Sequence, residues 1–240
     1  MAHRHKAVSR DASSAHGASR PGRARAADVR TLAERAYREL EEQIVTLQLK
    51  PGAVVSEAIL SRRLGIGRMP IREALQRLAR ERLVVILRRR GIIVSEVNVR
   101  SQLRLLEVRR ELERLLARCA ARRATPEQRA EFTAIASGME EAGRENDDAT
   151  FMRLDRAFNM LVIDAARNEF AAGAMALMHG LSRRFWYIHY KEVADLPLAA
   201  RLHANIARAI AVGDPELAAK TSDELLDYIE TFTRATIENA

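Results

Sequence analysis

Residues 60–77, LSRRLGIGRMPIREALQR, constrain the fold more than any other stretch of the chain. They read as a short helix, a tight turn at Gly65-Ile66-Gly67, and a second helix. Leu60, Leu64, Ile71, Ala74, Leu75 and Leu78 supply an apolar side at helical spacing. Arg68, Arg72, Gln76 and Arg77 fall elsewhere on the second helix. Two helices joined in this way form a helix-turn-helix, whose second helix enters the DNA major groove with its N-terminal residues. An ordinary helical hairpin with a solvated basic face has the same local pattern.

The segment that follows separates these alternatives. Leu83–Leu87 and Ile92–Val94 are short runs rich in β-branched residues around Arg88-Arg89-Arg90-Gly91, which is the pattern of a β-hairpin. A hairpin directly after a helix-turn-helix is a wing. Arginines at its tip can reach phosphates or a narrow minor groove. Charge agrees with this placement. Residues 1–26 carry six Lys/Arg against one acid, and residues 27–97 carry fourteen against nine. The remainder carries twenty against twenty-two, so the net +8 of the chain resides in its first hundred residues. A basic N-terminal half and a near-neutral C-terminal half point to double-stranded DNA as the partner of the former. The candidate DNA contacts are Arg62, Arg68, Met69, Arg72 and Gln76 on the helices, with Arg88, Arg89, Arg90 and Gly91 on the wing.

The flanking elements follow from periodicity and punctuation. Residues 1–26, rich in Ala, Ser, Arg and Gly without apolar periodicity, read as a disordered basic tail. Ala27–Leu49 reads as a helix ended by Pro51-Gly52, followed by a short strand at Ala53-Val54-Val55 and an N-cap at Ser56. From Val97 onward only helices are expected: Val99–Arg123, a capping box at Thr125-Pro126-Glu127-Gln128 opening a helix to Gly143, then Asp147–Arg167. Glu169–Tyr190 follows with a break possible at Gly180, then Leu198–Val212 and Pro215–Glu238, the last capped by Asp214. The fold class is therefore mainly α. It comprises an N-terminal winged helix-turn-helix over 27–96, with a small β-hairpin wing, and a C-terminal all-α bundle over 97–240 large enough to surround a pocket.

Other readings bound the function. The single cysteine, Cys119, sits in an apolar-periodic helix and reads as a buried thiol; it allows no intramolecular disulfide. No apolar run is long enough to span a membrane, and the basic N-terminus lacks the apolar core of a signal peptide, so a cytoplasmic location without a membrane partner is expected. No nucleophile–base pair or phosphate loop is evident, so the chain is not expected to be an enzyme. His179, Trp186, Tyr187, His189 and Tyr190 crowd one helix, which suits core, dimer interface or pocket wall.

At this point the chain resembles a known family. Tyr37, Leu40, Ile44, Leu49-Lys50-Pro51-Gly52, Ser56-Glu57, Leu60, Leu64-Gly65, Arg68, Pro70-Ile71-Arg72-Glu73-Ala74-Leu75, Leu78, Leu83-Val84 and Gly91 resemble the winged helix-turn-helix of GntR transcription regulators. Glu107-Val108-Arg109, Leu112-Glu113, Asp155, Phe158, His203, Ala209-Ile210, Gly213-Asp214 and Ala218 are similar to the FCD ligand-binding domain of the FadR subfamily. The usual Ser-Arg-Thr at the start of the recognition helix is Gly67-Arg68-Met69 here, so Met69 could meet a thymine methyl where hydroxyls are usual. The glycine usual before Leu-Val is Arg82.

The resemblance implies a homodimer on a near-palindromic operator, acting as a metabolite-responsive repressor with a small organic acid as effector. Arg109, Asp155, Asn159 and His203 are the effector candidates it implies. Arg109 faces the cavity in the family pattern, but an i,i+4 surface pair with Glu113 is an open alternative. Many FCD domains also hold a divalent metal with one aspartate and three histidines. The matching positions here are Asp155, Asn159, His203 and Leu225, which leaves a degraded divalent metal site or a merely polar pocket. The alternative functions are an effector-independent DNA-binding structural protein and a metal-dependent hydrolase.

Overall fold

The computed structural model describes residue 1 and residues 21–87 and 91–238. The order is α1 (Pro21–Val45), β1 (Val54–Val55), α2 (Glu57–Leu64), α3 (Arg68–Arg80), β2 (Val84–Leu87), β3 (Gly91–Val94), α4 (Val99–Arg123), α5 (Pro126–Glu145), α6 (Asp148–Ala166), α7 (Glu169–Val193), α8 (Leu196–Val212) and α9 (Pro215–Glu238). The expected helices and hairpin are present. Helix α1 begins earlier than the composition implied: residues 21–26, assigned to the basic tail, are helical, with Pro21 at the first position, where its missing N–H costs nothing. Residues 2–20 of that tail lie outside the described residues.

Two cores divide the molecule. In the first, Ala36, Leu40 and Ile44 of α1 meet Leu60, Ile71, Leu75, Leu78, Leu83 and Val94, all buried. The sheet closes it in the order β1-β3-β2, antiparallel, with Val54 opposite Ile93 and Val84 opposite Val94. In the second, α4, α5, α6, α8 and α9 surround Leu116, Phe132, Met139, Phe158, Ile206 and Leu225. The caps read from sequence are made: Ser56 and Asp214 accept from first-turn N–H groups, and Thr125 with Gln128 closes a full capping box; Asn98, Asp147, Asn168 and Asp195 cap their helices as well. Cys119 is a buried free thiol in this core. Among the described residues no helix is long and apolar enough to cross a membrane.

The long helix expected over Glu169–Tyr190 is one helix: α7 runs unbroken from Glu169 to Val193, through Gly180. Glycine weakens a helix interior, but here it is required by a neighbour: a Cβ on Gly180 would stand 2.7 Å from Leu83 Cδ1. Helix α7 therefore lies directly against the winged domain.

Candidate DNA-reading face and effector pocket

The reading face follows from which residues α3 buries. Pro70, Ile71, Ala74, Leu75 and Leu78 are buried. The opposite face presents Arg68, Met69, Arg72 and Gln76, all exposed, with exposed Arg62 and Arg63 at the end of α2. Gly65, at φ 64, provides the left-handed turn between the helices. Among the described residues no ion pair holds Arg62 or Arg68. Arg72 is clasped by Glu57 in a fork, Nε to Oε1 at 2.9 Å and Nη2 to Oε2 at 2.8 Å. The Arg72 hydrogen bonds hold the Glu57 carboxyl below its ordinary range. Arg77 has a different task. It stacks on Tyr37 at 3.5 Å and pairs with Glu34 and Glu81 at 2.9 and 3.1 Å, tying α1 to α3.

In the wing, Gly91 adopts φ +95, and a Cβ there would stand 3.2 Å from the Val55 carbonyl oxygen. Turn geometry and close packing account for this glycine. Arg88, Arg89 and Arg90, expected at the tip, lie outside the described residues. Arg82 takes φ 60, which explains why glycine is usual at that position and shows a cation kept there against backbone preference.

The second site is a cavity of about 100 Å³ among α4, α6, α7, α8 and α9. All four effector candidates line it: Arg109, Asp155, Asn159 and His203. For Arg109 the i,i+4 pair with Glu113 is made, but within the cavity wall and not at the surface. It faces the cavity, and its Nε donates to Glu113 Oε1 at 2.6 Å. Neighbouring Arg110 points away to α9, where it pairs with Asp227 at 2.7 Å. Asn159 Nδ2 donates to the Asp155 carbonyl oxygen at 2.8 Å and to Asp155 Oδ1 at 2.9 Å. His203 stands with Nε2 3.2 Å from Asp155 Oδ1 and Nδ1 2.8 Å from the Ala199 carbonyl.

These distances test the metal. Both near neighbours of His203 are acceptors, an environment that favours protons on the ring nitrogens. Burial opposes a charged ring, but the hydrogen bond and charge of Asp155 prevail and raise the His203 pKa. Burial would likewise raise the Asp155 carboxyl, and His203 reverses this and lowers it. A metal ligand must offer a lone pair. Here Asn159 turns its NH₂ toward the Asp155 carboxylate and Leu225 is an apolar wall residue, so Asp155 and His203 are the only lone-pair donors left of the four matching positions. The residues present do not fit a divalent ion. Among the described residues no group of three or more His, Cys, Asp or Glu side chains is arranged to hold one.

Sequence reasoning missed the part played by α7. Its residues alternate between two faces within two turns. His179, Ser182 and Trp186 line the cavity. Leu181 packs on the winged-domain core beside the Gly180–Leu83 contact. Arg183 bridges Glu41 and Glu42 of α1 at 2.9 and 3.1 Å. Arg184, almost wholly buried, donates to the Ser95 carbonyl at 2.9 Å and to Ser95 Oγ at 3.1 Å, clamping the end of the wing; burial pushes its pKa down to about 10. The signal available in the sequence was the i, i+3, i+7 spacing of the polar stripe, which shows a shared face but not what that face meets.

A winged helix-turn-helix with an exposed cationic reading face, joined to a helical domain around a cavity, defines a DNA-binding transcriptional regulator. Residues 32–94 match the family model described as bacterial regulatory proteins, gntR family, and residues 104–228 match that of the FCD domain. The chain belongs to the GntR family and carries an FCD domain. It is 25% identical over 198 residues to the HTH-type transcriptional repressor RspR of Escherichia coli K12, covering 82% of this chain and 87% of that one. It is 25% identical over 167 residues to the Nta operon transcriptional regulator of Aminobacter aminovorans, covering 70% and 78%. The solved structure of E. coli McbR/YncC shares the fold with a TM-score of 0.72 at 20% identity, over 86% of this chain and 98% of that one.

Proposed function

We propose that the protein is a cytoplasmic, homodimeric repressor that binds a near-palindromic operator and is released by a small metabolite held in the α4–α9 cavity. The observation that carries this reading is the two-faced helix α7, which lines the cavity with one side and fastens the winged domain with the other. A ligand that prefers one setting of α7 shifts the placement of the recognition helices, and its differential affinity sets the size of the response. Arg62, Arg68, Met69, Arg72 and Gln76 serve base edges and phosphates, and Arg88–Arg90 serve phosphates at the wing. On DNA a phosphate replaces Glu57 on Arg72. The name of the relative RspR supports a repressor. The resemblance supports an organic acid as effector.

The test is a gel shift on an operator recovered by selection from random DNA. Arg68→Ala should remove specific binding while leaving the thermal unfolding curve unchanged. A dimer reading two half-sites should lose about 2–6 kcal/mol in total, at roughly 1–3 kcal/mol for each base contact. Unchanged operator affinity would overturn the assignment of the reading face.

A further inference from the structure

The cavity wall has paired its charges and left neutral polar atoms without partners among the described residues. Arg109 is spent on Glu113, Arg183 on Glu41 and Glu42, and His203 on Asp155. An anionic ligand would have to break one of these pairs or lie beside the Glu113 and Asp155 carboxylates without a cation of its own. Neither is favourable in a buried site. The unpartnered groups are of another kind. Six buried side-chain nitrogen or oxygen atoms lack a hydrogen-bond partner among the described residues, and three of them, His179 Nε2, Ser182 Oγ and Trp186 Nε1, belong to residues that line this cavity. They sit at i, i+3 and i+7 on α7, so they form one stripe. Buried polar atoms are rarely left unpaired without a purpose, because each then bears its full desolvation cost.

Their chemistry and surroundings describe what would fit. Trp186 Nε1 only donates, and Ser182 Oγ donates and accepts. Burial, against the pull of Asp155, pushes the His179 pKa down to about 4, so the ring is neutral and offers a single donor or acceptor at Nε2. The rest of the wall is apolar and aromatic. The Trp186 ring lies 4.8 Å from Phe232, 6.4 Å from Phe151 and 6.4 Å from Tyr228. A cavity of about 100 Å³ suits a molecule no larger than a single ring.

Resting on the reading that the effector occupies this cavity, we propose that the effector is an uncharged single-ring organic compound carrying a hydrogen-bonding carbonyl, amide or hydroxyl group, held by His179, Ser182 and Trp186. The ring replaces water against the aromatic wall, and the ligand oxygen accepts from the indole N–H. The same three residues stand on the helix that clamps the winged domain, so occupancy acts on α7 directly.

Trp186 is the only tryptophan of the chain, so its fluorescence reports occupancy without a label. The full-length protein is titrated with benzamide, benzyl alcohol and phenol, and with benzoate and phenylacetate as charged counterparts of similar size. The uncharged probes should change Trp186 emission in a saturable way, and the best of them should bind at least about tenfold tighter than either anion. Ser182→Ala should weaken that probe about fivefold or more without lowering the melting temperature of the free protein. Trp186→Phe, followed by calorimetry, should do the same.

Tighter binding of benzoate or phenylacetate would overturn the uncharged class and leave the cavity as the effector site, in favour of an organic acid. Binding that ignores both Ser182→Ala and a cavity-filling Ala117→Leu would place the probes elsewhere and overturn the cavity reading itself. Absence of saturable binding by every uncharged probe would overturn the proposal, leaving water as the partner of the three atoms.

Discussion

The reading face and the cavity treat charge in opposite ways. On α2 and α3, Arg62 and Arg68 stand exposed and without an ion pair, and Arg72 is held only by an exposed clasp to Glu57. Around the cavity every charged side chain has its partner within the fold, while three neutral polar atoms have none among the described residues. The difference is one of solvent. A guanidinium in water costs little to leave unpaired, and a phosphate later replaces its counterions. A charge out of water must be paired at once or neutralised. What remains open at each site therefore indicates what that site awaits: a polyanion at the surface, and an uncharged polar compound inside.

The largest expected effect probes the buried side of this contrast. The His179 pKa of about 4 means that the folded state resists a proton that the unfolded chain accepts near pH 6.5. Its folded pKa is depressed, so the unfolded state binds more protons between these values, and stability falls as pH drops from about 6.5 to 4. The loss is about 3 kcal/mol when complete. Urea unfolding of wild type and His179→Asn across that window should show the mutant nearly free of this component of the slope. Equal slopes would mean that His179 is charged or solvated in the folded protein.

Gly180→Ala sharpens the contrast at the joint between the regions. The added methyl meets Leu83 at a distance no relaxed contact allows, so about 1–3 kcal/mol of stability should be lost in thermal unfolding. Helix propensity alone would make the same change stabilising. A gain would show that the Leu83 side chain moves aside for the methyl at little cost.

The smallest effect belongs to the exposed side. Arg82 occupies a left-handed backbone position, and Arg82→Gly should raise stability by about 1 kcal/mol in thermal unfolding. It should also lower the salt slope of non-specific DNA binding by about one if the cation rests on a phosphate.

Much of this was legible in the sequence, for local reasons. Caps at Ser56, Thr125 and Asp214, the turn at Gly65 and the β-branched runs after Leu83 act within a few residues, so pattern alone exposes them. What was not legible depends on distant partners. Gly180 reads as a weak point in one long helix until Leu83 is beside it. Arg72 reads as a free cation until Glu57 of the preceding helix closes on it. The resemblance brought Asp155, Asn159 and His203 together correctly, but which atoms carry protons follows only from the acceptors around His203. His179, Ser182 and Trp186 differ from an ordinary amphipathic stripe only because a cavity lies in front of them.

The central claim is that cavity and operator are linked through α7, and linkage is reciprocal. The most direct measurement is a titration of the best uncharged probe, followed by Trp186 fluorescence, with and without saturating operator DNA. The account predicts that operator weakens probe binding by the same factor by which saturating probe weakens operator binding. Probe affinity that is identical with and without operator would contradict it.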